Sequence, residues 1–317
     1  MKHIRKLITV VVPCHNESPN IETFYASISE VVGKDVEHDY ELLYVNDGSR
    51  DDTLRKLTVL AEKDDTVRIV SLSKNFGKEI ATTAGLQYAH GDAIVIIDAD
   101  GQHPVELIPQ FIEKWEQGAK VVAGLRTGRR ASLWKRTGSK LFYSVLRRTT
   151  GVGLNPATTD FRLIDKSVQA EFNRMTERNR ITRGLIDWLG YKQEYVGYKE
   201  NPRLAGASPQ SFRKLFKLSI DSAISLSSSP LYLVAYIGAI VLPIATVLGL
   251  GMAINFLLRD PLHLHATGGA YLIVLILWLI GILLVSQGII GLYLSHIYTE
   301  TQNRPLFIVD QQHSRNI

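Results

Sequence analysis

Two long stretches of this chain carry no Lys, Arg, Asp or Glu: the residues between Asp221 and Arg259, and those between Asp260 and Glu300. Within the first, Leu231 to Leu258 is a mostly apolar run of about 28 residues, which as a helix reaches roughly 42 Å. The hydrocarbon core of a bilayer is roughly 30 Å and needs about 20 residues. Ala270 to Tyr298 forms a second such run. The link between them, Arg259 to Gly269, holds the breakers Asp260-Pro261 and Gly268-Gly269. The pattern predicts a transmembrane helical hairpin, with helices at about 231–258 and 270–298, and argues against a wholly water-soluble protein.

Two spans place both flanks on one side. Arg213, Lys214 and Lys217 precede the first run, and Arg304 and Arg315 follow the second. The link holds only Arg259, offset by Asp260. By the positive-inside rule the long N-terminal part is expected in the cytoplasm, at the inner (cytoplasmic) membrane, as is the tail at 301–317. Leu7–Val12 is too short for a signal peptide and runs into Pro13, His15 and Glu17. The single cysteine, Cys14, excludes an internal disulfide framework. A formal net charge of +5 is too slight to indicate nucleic acid as a partner.

The first 125 or so residues repeat one rhythm. Apolar, β-branched runs lie at Leu7–Val12, Glu41–Val45, Val67–Leu72, Ala93–Ile97 and Val121–Ala123. Between them, helical spacing covers Asn20–Val32, Asp52–Glu62, Glu79–Ala89 and Pro104–Gln117. Nearly continuous apolar strands alternating with helices predict an α/β domain with a mainly parallel sheet covered on both faces. Ligands of such sheets bind beyond the carboxyl ends of the strands. Each strand here delivers polar groups to that rim: Pro13-Cys14-His15-Asn16-Glu17, then Asn46-Asp47-Gly48-Ser49, Ser73 to Lys78, Asp98 to Pro104, and Gly124-Leu125-Arg126.

Asp98-x-Asp100 is the central pair. Residues i and i+2 leaving a strand point to one side, and two carboxylates there repel unless a cation lies between them. Mg²⁺ or Mn²⁺ suits such oxygen ligands and usually also takes substrate phosphates. Gln102 continues the series and adds a carbonyl. The same residues also suit a turn and helix cap, with Pro104 in the first turn of the next helix. Asp47 and Glu17 are candidates for base or ribose contacts, or for charge at helix N-termini. Asp51 suits a cap on the second helix. Lys74 and Lys78 are candidates for a diphosphate. Cys14 reads as a packing residue.

From Arg126 to Arg148 there are eight Arg or Lys and no acid, interleaved with Leu133, Trp134, Leu141, Phe142, Val145 and Leu146. Together with a juxtamembrane segment at 209–228 this predicts helices in the membrane interface, the first at about 130–148. Arginines there suit a lipid-borne phosphate. Asp160-Phe161-Arg162 suits a site wall, and Arg203-x-x-Gly206-x-Ser208 suits a loop closing over phosphates.

These motifs resemble glycosyltransferase family 2. The resemblance is carried by Pro13…Asn16-Glu17, Val45-Asn46-Asp47-Gly48-Ser49…Asp52-Thr53, Asn75-Phe76-Gly77-Lys78 and Asp98-Ala99-Asp100-Gly101-Gln102-His103-Pro104. Asp160-Phe161-Arg162-Leu163, the Arg203/Gly206/Ser208 loop and the terminal hairpin make the whole chain similar to the polyprenyl-phosphate glycosyltransferases, which include bactoprenol glucosyltransferases and, more distantly, dolichyl-phosphate mannose synthase.

The resemblance implies a GT-A domain over 1–208, then the juxtamembrane helix at 209–228, the hairpin within 229–300 and the tail. It implies inverting, metal-dependent transfer of a hexose from a nucleotide sugar to undecaprenyl or another polyprenyl phosphate at the cytoplasmic face, in cell-envelope synthesis. UDP-glucose is the first choice of donor, with UDP-N-acetylglucosamine or GDP-mannose as alternatives. Pro13, His15, Glu17, Asp47, Lys74, Asp98, Arg203 and Ser208 would bind the donor. Asp98, Asp100 and Gln102 would hold Mg²⁺ or Mn²⁺. Arg126, Lys135, Arg136 and Arg162 would hold the acceptor phosphate, and Asp100, Asp160 and Arg126 would serve catalysis. Pro209 and Gln210 stand where relatives often carry Lys and an aromatic, which removes one lysine contact to the diphosphate. A homo-oligomer and a downstream flippase or glycosyltransferase are compatible partners. The competing reading is a non-catalytic membrane scaffold. A processive polysaccharide synthase fits less well, since the Gln-x-x-Arg-Trp motif is missing from the sequence.

Overall fold

The computed structural model describes residues 5–127, 158–178, 180–199 and 268–317. The chain divides into two compact units, Met1–Gln210 with Arg304–Ile317, and Ser211–Asn303.

In the first unit the expected rhythm appears as β1 (Lys6–Cys14), α1 (Ile21–Val32), β2 (His38–Asn46), α2 (Thr53–Lys63), β3 (Val67–Ser71), α3 (Lys78–Tyr88), β4 (Ala93–Ile96), a 3-10 turn (Val105–Leu107), α4 (Ile108–Glu116) and β5 (Val121–Arg126). The helix expected from Pro104 starts later, at Ile108. Pro109 lacks a backbone N–H and fits only the first turn. In α4 the buried residues Ile108, Phe111, Ile112 and Trp115 fall at helical spacing and form its inner face.

Four further elements complete the unit: β6 (Thr158–Asp165), α5 (Lys166–Arg174), α6 (Thr182–Trp188) and β7 (Gln193–Tyr198). Asp165 caps α5 by accepting a hydrogen bond from the Ser167 N–H. The seven strands form one sheet in the order β3-β2-β1-β4-β6-β5-β7. All pairings are parallel except those of β6, which runs antiparallel to β4 and β5. Alternate residues of β1 feed two cores. Ile8, Val10 and Val12 pack with Phe24, Phe111 and Trp115 on one face, and Val11 packs with Ala81, Ala84 and Phe172 on the other. Burial on both faces explains why these strands are apolar without alternation. Gly85 lets α3 lie against β1, since a Cβ there would come within 2.2 Å of Val11 Cγ1.

The C-terminal residues belong to this unit. Ile69 and Leu72 bridge antiparallel to Arg315 and Val309, and Asp310 N–H donates to the Ser71 carbonyl at 2.8 Å. The stretch expected as a plain tail thus covers the outer edge of β3, which would otherwise offer unpaired backbone groups. It also reaches a buried ion pair. Arg68 donates to Glu41 at 2.6 Å and, through Nε, to the Asn316 carbonyl at 2.6 Å.

In the second unit α7 (Gly268–Thr301) is one helix of 34 residues, with no charged side chain before Glu300. Its backbone is continuous, while only part of its side chains are described. Counted over the described residues alone, which leave out many of α7's side chains, no helix is long and apolar enough to cross a membrane. The first run of the expected hairpin and the interface helices at 130–148 and 209–228 lie outside the described residues.

Candidate active site

The strand order reverses between β1 and β4, and there the carboxyl ends of the strands open a crevice. The end of β1 and the loop after it, through Glu17, are stitched to the second loop. Asn16, at φ 55°, takes the left-handed conformation that Asn tolerates. Its N–H donates to Ser49 Oγ at 3.0 Å, and its side-chain oxygen accepts from Arg50 N–H at 2.8 Å. Glu17 N–H donates to Thr53 Oγ1 at 2.9 Å, and Asp51 accepts from both Ser18 and Thr53 N–H. His15, exposed at the rim, places Nδ1 2.7 Å from the Asp47 carbonyl. Glu17 is half-buried and accepts from Asn20 at 2.6 Å.

Asp47, expected to meet the nucleotide, is 2 % exposed. Its two carboxylate oxygens accept from Phe76 N–H at 2.7 Å and Gly77 N–H at 2.9 Å. Its visible work is to hold the loop before α3. Gly48 makes that approach feasible: at φ 58° any Cβ would lie 2.3 Å from the Lys74 backbone. Lys74 is exposed, with Nζ 5.1 Å above the Phe76 ring. Cys14 is buried, and burial followed by nearby carboxylates pushes its thiol well above the usual range, so it packs rather than reacts.

The antiparallel strand brings in the missing acid. Ile96 of β4 pairs with Arg162 of β6. Continuing that register by two residues sets Asp160 opposite Asp98. Lys78, at the start of α3, lies between them, with Nζ 2.8 Å from the Asp98 carboxylate and 3.0 Å from Asp160 Oδ2. Burial alone would raise the Asp98 carboxyl, but Lys78 and then His103 outweigh it and hold it well below the ordinary carboxylate range. Asp160 is lowered likewise: burial opposes the shift, and the ammonium of Lys78 overcomes it with help from Arg183. Glu79, beside them, moves the other way, raised by burial and by repulsion from Asp160.

Asp98, Asp100 and Gln102 are half-buried at the rim, with Gln102 N–H donating to Asp100 Oδ1 at 3.1 Å. Among the described residues no group of three or more His, Cys, Asp or Glu is arranged to hold a metal by itself. The donor set still fits a hard divalent ion whose remaining ligands come from a phosphate. Asp98 is kept ionised, and the chain sets its own cation, Lys78, against that carboxylate.

Arg126 ends β5, half-buried, in register with Tyr198 of β7. Arg162, expected at the acceptor phosphate, is held inside the fold, where it lines a small cavity with Lys78 and Asp160. It is 1 % exposed, donating to the Thr159 carbonyl at 3.2 Å and to Asp187 at 3.4 Å. Its guanidinium is thus tied to Asp187 and to the backbone of β6 and has almost no contact with solvent. Lys135, Arg136, Arg203 and Ser208 lie outside the described residues. Sequence reasoning gave no role to Arg183, which lines a small cavity with Lys78, Glu79 and Asp160. Nor did it single out His103 and Tyr198; the one signal was His103's place in the Asp98–Pro104 string.

Residues 9–179 match the model of glycosyl transferase family 2. A glycosyltransferase of Synechocystis sp. (strain PCC 6803), sll0501, is 38 % identical over 95 % of this chain and 94 % of its own length. YkcC of Bacillus subtilis (strain 168), also named a glycosyltransferase, is 40 % identical over 98 % of this chain and 95 % of its own. The SfII prophage-derived bactoprenol glucosyl transferase of Shigella flexneri is 35 % identical over 98 % and 99 %. Glucosyl-3-phosphoglycerate synthase of Mycobacterium tuberculosis, solved with Mn²⁺, UDP and phosphoglyceric acid, superposes with a TM-score of 0.49 at 22 % identity, over 70 % of this chain and 77 % of that one. With its family match spanning more than half its length and relatives aligned almost end to end, this chain belongs to glycosyl transferase family 2.

Proposed function

We propose that this chain transfers a hexose from a nucleotide sugar, UDP-glucose first among candidates, to a polyprenyl phosphate at the cytoplasmic face of a membrane. The observation that carries the reading is the pair Asp98 and Asp160, brought together around Lys78 at the switch point of the sheet. The names of relatives aligned over nearly the full chain support the acceptor class.

Asp98 and Asp100, with Gln102, would hold Mg²⁺ or Mn²⁺, which when bound neutralises charge on the departing nucleoside diphosphate. His15 and Glu17 stand at the rim for the nucleotide, with Pro13 buried at the end of β1 behind them, and Arg126 sits at the end of β5 for the acceptor phosphate. A bond forms between the anomeric carbon and an acceptor phosphate oxygen while the bond to the diphosphate oxygen breaks, with inversion. A phosphate monoester is already anionic near neutral pH, its second pKa being about 6. Asp160 therefore orients the acceptor or the sugar and need not take a proton.

The membrane reading rests on α7 and on the return of the chain. At about 1.5 Å per residue, 34 residues reach about 51 Å, beyond a bilayer core of roughly 30 Å. Leu272, Ile276, Leu283 and Leu294 are exposed along it, an apolar surface that water disfavours. Residues 304–317 rejoin the catalytic unit, so a segment between Gln210 and Arg304 that entered a membrane would have to cross it an even number of times. A crossing by α7 then requires another within 211–267, where the run Leu231 to Leu258 lies.

The test is transfer of label from a panel of nucleotide sugars to undecaprenyl phosphate in detergent with Mg²⁺ or Mn²⁺. Label in the lipid fraction from one donor establishes reaction and sugar together. Intact nucleotide binding with no transfer from any donor would favour the scaffold.

A further inference from the structure

His103 is a buried, polar side chain that the reading above does not use. It directly follows the candidate metal ligands, yet it turns inward where Asp98, Asp100 and Gln102 stay at the rim. Its ring stacks on Phe161 at 5.3 Å between centroids, with an interplanar angle of 29°. Nδ1 lies 2.7 Å from the Tyr198 hydroxyl, and Nε2 lies 3.4 Å from Asp98 Oδ2. The hydroxyl is itself anchored: it donates to Thr159 Oγ1 at 3.1 Å, which donates to the Gly124 carbonyl at 3.2 Å. The Tyr198 carbonyl accepts from the N–H and hydroxyl of Thr127, the residue after Arg126.

A histidine held on three sides has one orientation. A carboxylate touching its free edge inherits that orientation. We infer that His103, fixed by Tyr198 and Phe161, is a positioning residue that aims the Asp98 carboxylate at the metal–diphosphate position. Tyr198 thereby ties the metal loop to the strand end that carries Arg126. The inference rests on the reading of Asp98 as a metal ligand. Outer contacts of this kind orient ligands and typically change metal affinity by about 10- to 100-fold when removed.

The experiment is Mn²⁺ binding to the full chain in detergent with UDP present, read by loss of the free Mn²⁺ paramagnetic resonance signal. His103→Ala should weaken Mn²⁺ by about 10- to 100-fold, and Tyr198→Phe, which keeps the ring, by a smaller factor. His103→Gln, whose amide can reach Asp98, should recover part of the loss. UDP affinity without metal should stay at the wild-type value in all three, which a general collapse of the fold would not allow. Wild-type Mn²⁺ affinity in both His103→Ala and Tyr198→Phe overturns the inference while leaving the metal reading standing. A wild-type protein that binds no Mn²⁺ with UDP overturns both.

Discussion

The Lys78 ammonium lies 2.8 Å from Asp98 and 3.0 Å from Asp160, one cation shared by an acid just past the end of β4 and an acid on the antiparallel β6. It joins the Asp98–Gln102 loop to the strand that carries Asp160. The Lys78 side chain is 45 % exposed and that of Asp160 42 %. Solvent therefore screens the pairs, and each is worth on the order of 1 kcal/mol or less in stability. Their larger effect is geometric. Lys78→Met should leave two facing carboxylates that repel, lowering kcat by at least about tenfold, a loss of about 1.4 kcal/mol in transition-state stabilisation. Sugar transfer by Lys78→Met at the wild-type rate would refute the coupling.

The same relationship sets a pH dependence of stability. Asp98 and Asp160 have folded-state pKa values below their ordinary ones. Their contribution is then complete above the unfolded carboxylate value near pH 4 and is lost as pH falls through the lower folded values. The melting-temperature gap between wild type and Lys78→Met should be constant from about pH 5 to 7 and close below about pH 4. A gap that widens on acidification would contradict the assignment.

Asp98→Asn and Asp160→Asn should separate two roles. The first should abolish transfer and weaken metal-dependent UDP binding. The second should reduce transfer by about 100-fold or more while leaving metal-dependent UDP binding near wild type, since positioning effects of this size are common. Isothermal titration with UDP and Mn²⁺ beside the transfer assay reads both. Equal loss of UDP binding in the two variants would show that Asp160 belongs to the donor site.

The C-terminal segment should be a structural part of the catalytic unit. Arg68 and Glu41 are buried, at 6 % and 7 % exposure, and Glu41 also accepts from Thr9 and from the His90 N–H. Removing one partner of such a pair typically costs about 3–5 kcal/mol. Arg68→Met should lower the melting temperature strongly, and adding Glu41→Gln should restore part of it. Deleting 304–317 should destabilise the protein and promote association through the bared edge of β3, visible by size-exclusion chromatography. A monodisperse deletion variant of wild-type stability would show the segment to be dispensable.

The sequence was legible where burial writes a pattern. Strands β1 to β5 are buried on both faces, so their apolar runs stand out, and the polar residues after them mark the rim. β6 hides because Asp160 and Arg162 interrupt it, and β7 because an edge strand with three exposed or half-exposed polar positions resembles a loop. The pairing of 304–317 with β3 depends on a partner more than 200 residues away, which no local period reports. Asp98 and Asp100 could be read as a cation site from spacing alone. That Lys78 sits against Asp98, and that Asp47 is spent on the backbone of Phe76 and Gly77, are facts of packing between loops.

Arg162 and Arg126 are two like residues in different surroundings. Both carry a charge near the rim in sequence, and both suit an acceptor phosphate. Arg162 faces inward, where burial draws its guanidinium below the usual value and the carboxylate of Asp187 offsets part of that shift. Arg162→Leu should leave Asp187, itself largely buried, without that partner. It should lower the melting temperature by several degrees, since a loss of 1 kcal/mol shifts a domain of this size by about 2–4 °C. Its KM for polyprenyl phosphate should stay near wild type in the fraction that folds. Arg126→Leu, at the half-buried end of β5, should do the reverse, raising that KM by about tenfold or more with little change in melting. Thermal melts and acceptor titrations on the two variants decide the matter, and a raised KM in Arg162→Leu at unchanged stability would return Arg162 to the acceptor site.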